Sequence, residues 1–487
     1  MACARNPVSG QPELILVSAE QEQAAGREGA ERVAAEMGIL AAPELTGYVA
    51  AVGARVAERS PRAGVRWRFE IVDREAPNAF ALPDGHTYVS RGLLELLNSE
   101  DELAAVLAHE VVHVAARHHA QRQTRAAGVG VLALPGRIAG AVLGGPLGAL
   151  VEAPTVVVGA GILASYGRDQ EREADRVGQR LAAEAGYEPA ALAHHLDALE
   201  RASAPRAGRT GQGGFFDTHP ATPERSADAR AHAATLPRLA RPGLAPDRAA
   251  FLRRLEGLLV GPNPAQGLLE DGRFVHPDLL FSLRFPDGWR TAHARSAVSA
   301  WSPDERATLV LDLEGRAGEP QAVAAATLAE ARREAPLEVL GAGALEVGPL
   351  RAFRAEAAAG RGRSRSWLQL TWIAHRGRSH LVAGAVDEPY ASSYRGDIAA
   401  ASESFRPLAA EERAAIREQR LRLFRARSGE SLAALVRRAG SAWDARHAAL
   451  ANGFAADATL AEGALVKLAI PEPYAGAAAA VEPPRGG

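Results

Sequence analysis

Glu102-Leu103-Ala104-Ala105-Val106-Leu107-Ala108-His109-Glu110-Val111-Val112-His113 decides how the first half of this chain is read. Ser99 stands three residues before Glu102, the spacing of a capping box, so the stretch predicts a helix from about residue 100 past His113. Positions i and i+4 share one face of a helix, so His109 and His113 can reach one metal ion. Glu110 stands beside them, placed to take a proton from water that such an ion activates.

A third ligand sets the class of site. His119 lies ten residues after His109, the place of a third histidine in a long HExxH motif. That geometry needs a glycine to turn the chain out of the helix, and position 116 is Ala116. It also needs a downstream methionine turn, and the only methionines are Met1 and Met37. His118 and His119 therefore read as surface histidines. Glu171-Arg172-Glu173-Ala174-Asp175 offers the alternative. Glu171 and Asp175 share a helix face, Glu171 to coordinate a metal and Asp175 to bond a ligand histidine's free ring nitrogen. Taken alone, such a run reads as a solvated charged face.

Asn78 to Pro83, Tyr88 to Leu94, Glu102 to Glu110 and Glu171 to Asp175, in that order, resemble metallopeptidase family forty-eight, with its HtpX-like, BepA-like and CAAX-prenyl-protease-like members. The resemblance covers about residues 11–235. It implies one zinc ion per chain, held by His109, His113 and Glu171, with Glu110 as the base. Thr218-His219-Pro220 followed by Arg225 is a further match. In BepA-like members a histidine here approaches the zinc, as a removable fourth ligand or as a transition-state donor, so His219 and Arg225 join the catalytic candidates. Asp84 departs from the family's usual glycine before Gly85.

The rest of the chain reads outward from this motif. The 487 residues allow several domains, and 47% apolar with 23% charged residues is a globular composition. The 56 basic and 58 acidic side chains give a net charge of -2, which argues against a nucleic-acid binder driven by phosphate neutralisation. One cysteine, Cys3, excludes an internal disulfide framework and a cysteine-based zinc cluster. Cys3-Ala4-Arg5-Asn6-Pro7 looks like the start of a mature bacterial lipoprotein, or else Cys3 is a chance cysteine. Lys467 is the only lysine, a scarcity that reads as coding bias.

The expected architecture is multidomain. Residues 1–10 would be a possible lipoprotein N-terminus. Residues 11–235 would be a mainly α, zincin-type zinc metallopeptidase domain with a small β-sheet. Its Gly/Ala-rich stretch 126–165 reads as short helices or a loop on a protein or membrane surface, with a transmembrane hairpin less favoured. A linker (236–272) would lead to an α+β interaction domain at 273–408, in which His375 and His380 read as strand histidines. Residues 409–422 would be a helical linker, with a charged helix at 411–425. Residues 423–471, with Gly429-Glu430-Ser431-Leu432 and Asn452-Gly453-Phe454, resemble a small βααβ LysM module, a family that binds N-acetylglucosamine glycans such as peptidoglycan. Residues 472–487 would be a disordered tail.

The expected activity is that of a zinc endopeptidase of the bacterial cell envelope, periplasmic and membrane-anchored through a lipidated Cys3 if an upstream signal peptide exists. Its partners would be unfolded or misassembled envelope polypeptides, with peptidoglycan and outer-membrane assembly proteins as further candidates and no nucleic acid. Tyr88 to Ser90 would supply an edge strand that holds substrate extended. Two rivals stand beside it: a latent, protease-like chaperone or assembly factor silenced by His219, and a peptidoglycan-binding anchor.

Overall fold

The computed structural model describes residues 3–128, 165–203, 215–219, 223–237, 243–360 and 365–476. They form two compact units. The first runs to residue 262 and takes back residues 418–472, and the second holds residues 263–417 and those from 473 onward. Most of the stretch 126–165 and most of the expected tail lie outside the described residues. Among the described residues no helix is long and apolar enough to cross a membrane.

The first unit opens with a short hairpin, β1 (Cys3–Arg5) against β2 (Pro12–Leu14). Helix α1 (Ala19–Glu36) starts at a complete capping box, Ser18 with Gln21. Helix α2 (Pro43–Ala57) buries Val49, Val52 and Val56, a stripe at helical spacing. Strands β3 (Arg68–Val72), β4 (Ala79–Ala81) and β5 (His86–Ser90) make a small sheet in the order β3-β5-β4. Tyr88 to Ser90 therefore lie on the central strand, paired on both sides, and the edge-strand expectation is corrected. The edges belong to β3 and β4, each paired in this sheet with β5. Asp84 fits in its turn because Gly26 of α1 faces it, and a Cβ there would meet the carboxylate at 2.2 Å.

Helix α3 (Arg91–Leu96) leads into α4 (Glu100–Ala115), the axis of the unit. Every residue of α4 from Leu103 to Ala115 is buried, so it is apolar all round apart from the site residues it carries. Ser99 caps it by accepting from Glu102 N at 3.1 Å. The carboxylate of Glu102 turns to Asn98 N at 2.6 Å rather than back to Ser99, so the capping box is half made. Around α4 stand α5 (His118–Gly128), α6 (Arg168–Glu184), α7 (Ala191–Ser203), α8 (Phe215–Thr218), α9 (Pro223–Ala233) and α10 (Arg248–Leu255), with β6 (Leu259–Val260) beyond. α6 comes closest, because Gly178 faces the backbone of Ala108 and His109. The expected linker 236–272 is corrected by α10, whose Phe251, Leu252 and Leu255 are fully buried in the same core.

The second unit is α+β. Strands β7 (Leu268–Glu270), β8 (Arg273–His276) and β9 (Phe281–Arg284) precede β10 (Arg290–His293), β11 (Ala297–Trp301), β12 (Ala307–Asp312) and β13 (Arg316–Ala317). After α11 (Pro320–Glu334) come β14 (Leu337–Val347), β15 (Leu350–Ala359), β16 (Ser366–His375) and β17 (Arg378–Asp387), then α12 (Ala391–Glu403), β18 (Arg406–Pro407) and α13 (Ala410–Ala415). The main sheet runs β10-β11-β12-β17-β16-β15-β14, all antiparallel, with α11 on one face and α12 on the other. Trp367 and Trp372, five residues apart on β16, anchor opposite faces, as a period of two requires.

The charged helix expected at 411–425 ends at Ala415, and β19 (Arg417–Arg425) follows, which also corrects the helical linker at 409–422. Leu421 and Leu423 alternate with arginines there, a strand pattern that the charge content obscures. With α14 (Leu432–Ala439), α15 (Ala445–Asn452) and β20 (Leu465–Pro473) the expected βααβ order is present. This stretch is no separate body. β19 pairs with β6 as well as β20, and Leu421, Leu435, Trp443 and Leu468 belong to the core that contains α4. Lys467 is fully buried and donates Nζ to Leu97 O at 2.5 Å, while His447 Nε2 meets Glu95 Oε1 at 2.6 Å.

Candidate metal centre

The helix repeat sets His109 and His113 side by side on α4, their Nε2 atoms 3.0 Å apart. Glu171, in the first turn of α6, brings Oε1 to 3.5 Å from His113 Nε2 and Oε2 to 3.6 Å from His109 Nε2. His219, just after α8, sets Nδ1 3.2 Å from His109 Nε2 and 3.0 Å from Glu171 Oε1. All four side chains are buried, and one ligand atom from each lies within 4.8 Å of the others.

These distances suit a metal ion. Four donors about 2.05 Å from a tetrahedral centre stand roughly 3.4 Å from one another. The nitrogens also need a cation. His109 Nδ1 lies 3.0 Å from Asp175 Oδ1, off the line of an ideal hydrogen bond, and His113 Nδ1 lies 2.9 Å from His118 Nδ1. With the proton of each ring on Nδ1, the two Nε2 lone pairs would meet at 3.0 Å, an arrangement that a cation between them relieves. Burial and the neighbouring histidines hold His113 well below the usual histidine range, so it stays neutral as a ligand must.

Glu110 is fully buried, and among the described residues neither carboxylate oxygen has a hydrogen-bond partner. His219 Nε2 lies 3.3 Å from Glu110 Oε1 without hydrogen-bond geometry. Burial raises the Glu110 carboxyl against the pull of His219 and His109, the direction a general base requires. At Glu171 burial acts the same way, but His219, His109 and Arg225 outweigh it and hold the carboxyl low. At His219 burial is outweighed by Glu171 and Glu110, which favour the charged ring.

Arg225 stands behind this cluster. Its guanidinium grips Asp175 with two bonds of 2.8 Å and reaches Glu171 Oε2 at 2.9 Å. It holds the two carboxylates of α6 in place. Asp175 is kept down at about 2: burial would raise it, but hydrogen bonds from His109 and Arg225 prevail. Phe215 stacks on His219 with ring centroids 4.3 Å apart, and its carbonyl accepts from His219 N at 2.8 Å.

Four further residues stand around the site. His118 and His119 are buried, against the expectation of surface histidines. His119 stays out of the cluster, with Nε2 2.7 Å from Ala81 O and 2.8 Å from the Tyr166 hydroxyl. The Tyr166 ring stacks on His113 at 3.8 Å. His195 is buried with no hydrogen-bond partner among the described residues on either ring nitrogen, edge-on to Phe215, and burial lowers it to about 3. No sequence spacing marks Tyr166 or His195. His118 stands five residues after His113, out of phase with the helix face, which hid it.

Residues 43–233 match the family model described as Peptidase family M48. The chain is 30% identical to the mitochondrial metalloendopeptidase OMA1 of Schizosaccharomyces pombe over 45% of its own length and 63% of that protein. It is 29% identical to the beta-barrel assembly-enhancing protease of Escherichia coli K12 over 39% of each. With the metalloprotease LoiP of the same organism it shares 33% identity over 31% of its length and 56% of the relative. The chain thus spans less than two thirds of each of these curated relatives. Residues 43–233 are thus similar to Peptidase family M48 and to metalloendopeptidases of that kind.

Proposed function

We propose that this protein is a zinc endopeptidase of the bacterial cell envelope that cleaves unfolded or misassembled polypeptides. The observation that carries the reading is the convergence of His109, His113, Glu171 and His219 beside a buried Glu110 whose oxygens have no hydrogen-bond partner among the described residues. His109, His113 and Glu171 would hold the ion. A bound zinc supplies Lewis acidity toward a peptide carbonyl and toward water at this site. Glu110 takes the proton from the attacking water and passes it to the leaving amine nitrogen. Asp175 orients His109, and Arg225 holds Asp175 and Glu171.

His219 is the fourth donor and the gate. In this reading it stands where a substrate oxygen would bind, which would leave the resting enzyme closed. That supports a latent state in which the chain acts as an assembly factor until His219 withdraws. The relatives named for β-barrel assembly make outer-membrane proteins the first substrates to test. An envelope location and an anchor at Cys3 belong to the same reading.

The deciding experiment is digestion of a permanently unfolded polypeptide by the zinc-loaded protein and its Glu110→Gln variant. The amide is nearly isosteric but accepts no proton, so zinc content stays and cleavage falls by about 10²- to 10⁴-fold. Activity within tenfold of wild type would remove Glu110 from the base role. Absence of cleavage by the wild type and by a gate-opened His219→Ala variant would remove the peptidase reading.

A further inference from the structure

Each imidazole of a metal site needs its free ring nitrogen held, because that bond sets the tautomer and the ring's direction. For His109 the holder is Asp175. For Nδ1 of His113 the described residues offer a second imidazole instead of a carboxylate. His118 Nδ1 lies 2.9 Å from His113 Nδ1, and His118 Nε2 lies 3.0 Å from Glu173 Oε2. The two rings meet edge to face, with centroids 4.9 Å apart. His118 is fully buried, and the Glu173 side chain is 23% exposed.

We infer that His118 and Glu173 are positioning residues that relay a tautomer to His113. This rests on the reading of His113 as a metal ligand through Nε2. The proton assignment then follows link by link. With its Nε2 lone pair toward the metal, neutral His113 carries its proton on Nδ1. That proton faces His118 Nδ1, which must present a lone pair. The His118 proton therefore sits on Nε2 and is donated to the Glu173 carboxylate. Glu173 thus does for His113, one ring removed, what Asp175 does for His109. Both carboxylates come from α6, which also supplies Glu171, so one helix anchors the whole cluster.

The backbone is bent to allow this. Helix α4 ends at Ala115, and Arg117 takes the left-handed conformation, with φ of 60°, before α5 begins at His118. A non-glycine residue there is uncommon, and such strain persists only where the surroundings enforce it. Arg117 is enforced: Nε donates to the buried Glu22 carboxylate at 3.0 Å, and NH2 to Val17 O at 3.0 Å. Without that turn α4 would continue, and a residue five positions after His113 would leave its face.

The test reads metal binding and the tautomer itself. In the zinc-loaded full chain with ¹⁵N-labelled histidine, His118 should show an unprotonated Nδ1 and a protonated Nε2. A protonated Nδ1 on His118 would overturn the relay with no variant needed. His118→Phe should weaken zinc binding, measured by chelator competition, by about 10- to 100-fold, the scale of losing an outer partner. It should also move the visible absorption of the cobalt-substituted protein. His118→Asn, whose amide can accept from His113 and donate onward, should recover most of the affinity. Glu173→Leu should fall between the two. Folded His118→Phe with zinc affinity within twofold of wild type overturns the inference. Should that variant not fold, His118→Asn binding zinc no better than Glu173→Leu does so. Failure of the underlying reading looks different: His113→Ala would then keep its zinc.

Discussion

Each unit of this protein buries a group of histidines, and among the described residues one of the two groups gathers the donors of a candidate metal centre. In the second unit His276, His375 and His380 surround Phe281, with ring centroids 6.3, 5.9 and 5.1 Å from it. Their ring nitrogens are spent on the backbone. His375 donates to Leu279 O, His380 to Asp312 O, and His276 accepts from Leu279 N. Burial keeps His276 and His380 neutral, each at about 4. In the first unit His113 is likewise neutral, but its Nδ1 is held by another side chain, so its Nε2 lone pair is free to converge with those of its neighbours. Buried histidine is thus no mark of a metal site. What distinguishes the centre is Asp175, Glu173 and Glu171 on one helix, turning three lone pairs to one point.

The sharpest way to break this contrast is to remove one histidine from each group. His113→Ala should weaken zinc binding by more than the roughly 100-fold that an outer partner costs. His375→Ala should leave metal content unchanged. Full stoichiometry in His113→Ala, measured by elemental analysis, would erase the distinction.

His219 gives the next largest effect. At equal zinc occupancy, His219→Ala should raise cleavage of a flexible substrate if the histidine is a gate. A fall of about 10²-fold, the scale of a lost oxyanion donor, would make it a catalytic donor instead. Unchanged rates would leave it a packing residue under Phe215.

Acid should weaken the second unit through its buried histidines. His276 and His380 are depressed in the folded unit, so the unfolded chain binds more protons between about pH 6.5 and 4. Their contribution is full above pH 6.5 and is lost as pH falls toward 4, about 3 kcal/mol each as an upper scale. The loss should appear as a falling urea midpoint for the second unit, and His380→Gln should flatten that slope. A wild-type midpoint constant from pH 7 to 4.5 would contradict it.

The smallest effect compares two helical glycines. A Cβ at Gly178 would stand 3.1 Å from His109 N and 3.2 Å from Ala108 C, so Gly178→Ala should push α6 off α4. The expected cost is about 1–3 kcal/mol, with a few-fold loss of zinc affinity. Gly396, on α12, has nothing within 4 Å of such a Cβ, and Gly396→Ala should stabilise by about 0.5–1 kcal/mol. Equal melting shifts of one sign would show that Gly178 has no special place.

What the sequence determined by itself is the part written in short-range periodicity. The i, i+4 spacing of His109 and His113, the same spacing of Glu171 and Asp175, the Ser99 cap and the alternation in β16 and β17 depend on neighbours a few residues away. Any chain with those residues in a helix or strand shows them. The Ala/Gly-rich β14 and β15 were not legible, because Leu337 to Ala359 carries few β-branched or aromatic side chains and its pairing comes from β16. Lys467 looked like a trace of coding bias and is a buried anchor on Leu97, 370 residues away in sequence. His118 looked like a surface histidine because the helix was expected to run straight. Only tertiary structure could decide otherwise: Glu22, 95 residues from Arg117, holds the left-handed turn that swings His118 back to His113. A helix face is set by residues next to one another in sequence, whereas the convergence of one helix, one turn and one carboxylate is set by contacts between residues that folding alone makes neighbours.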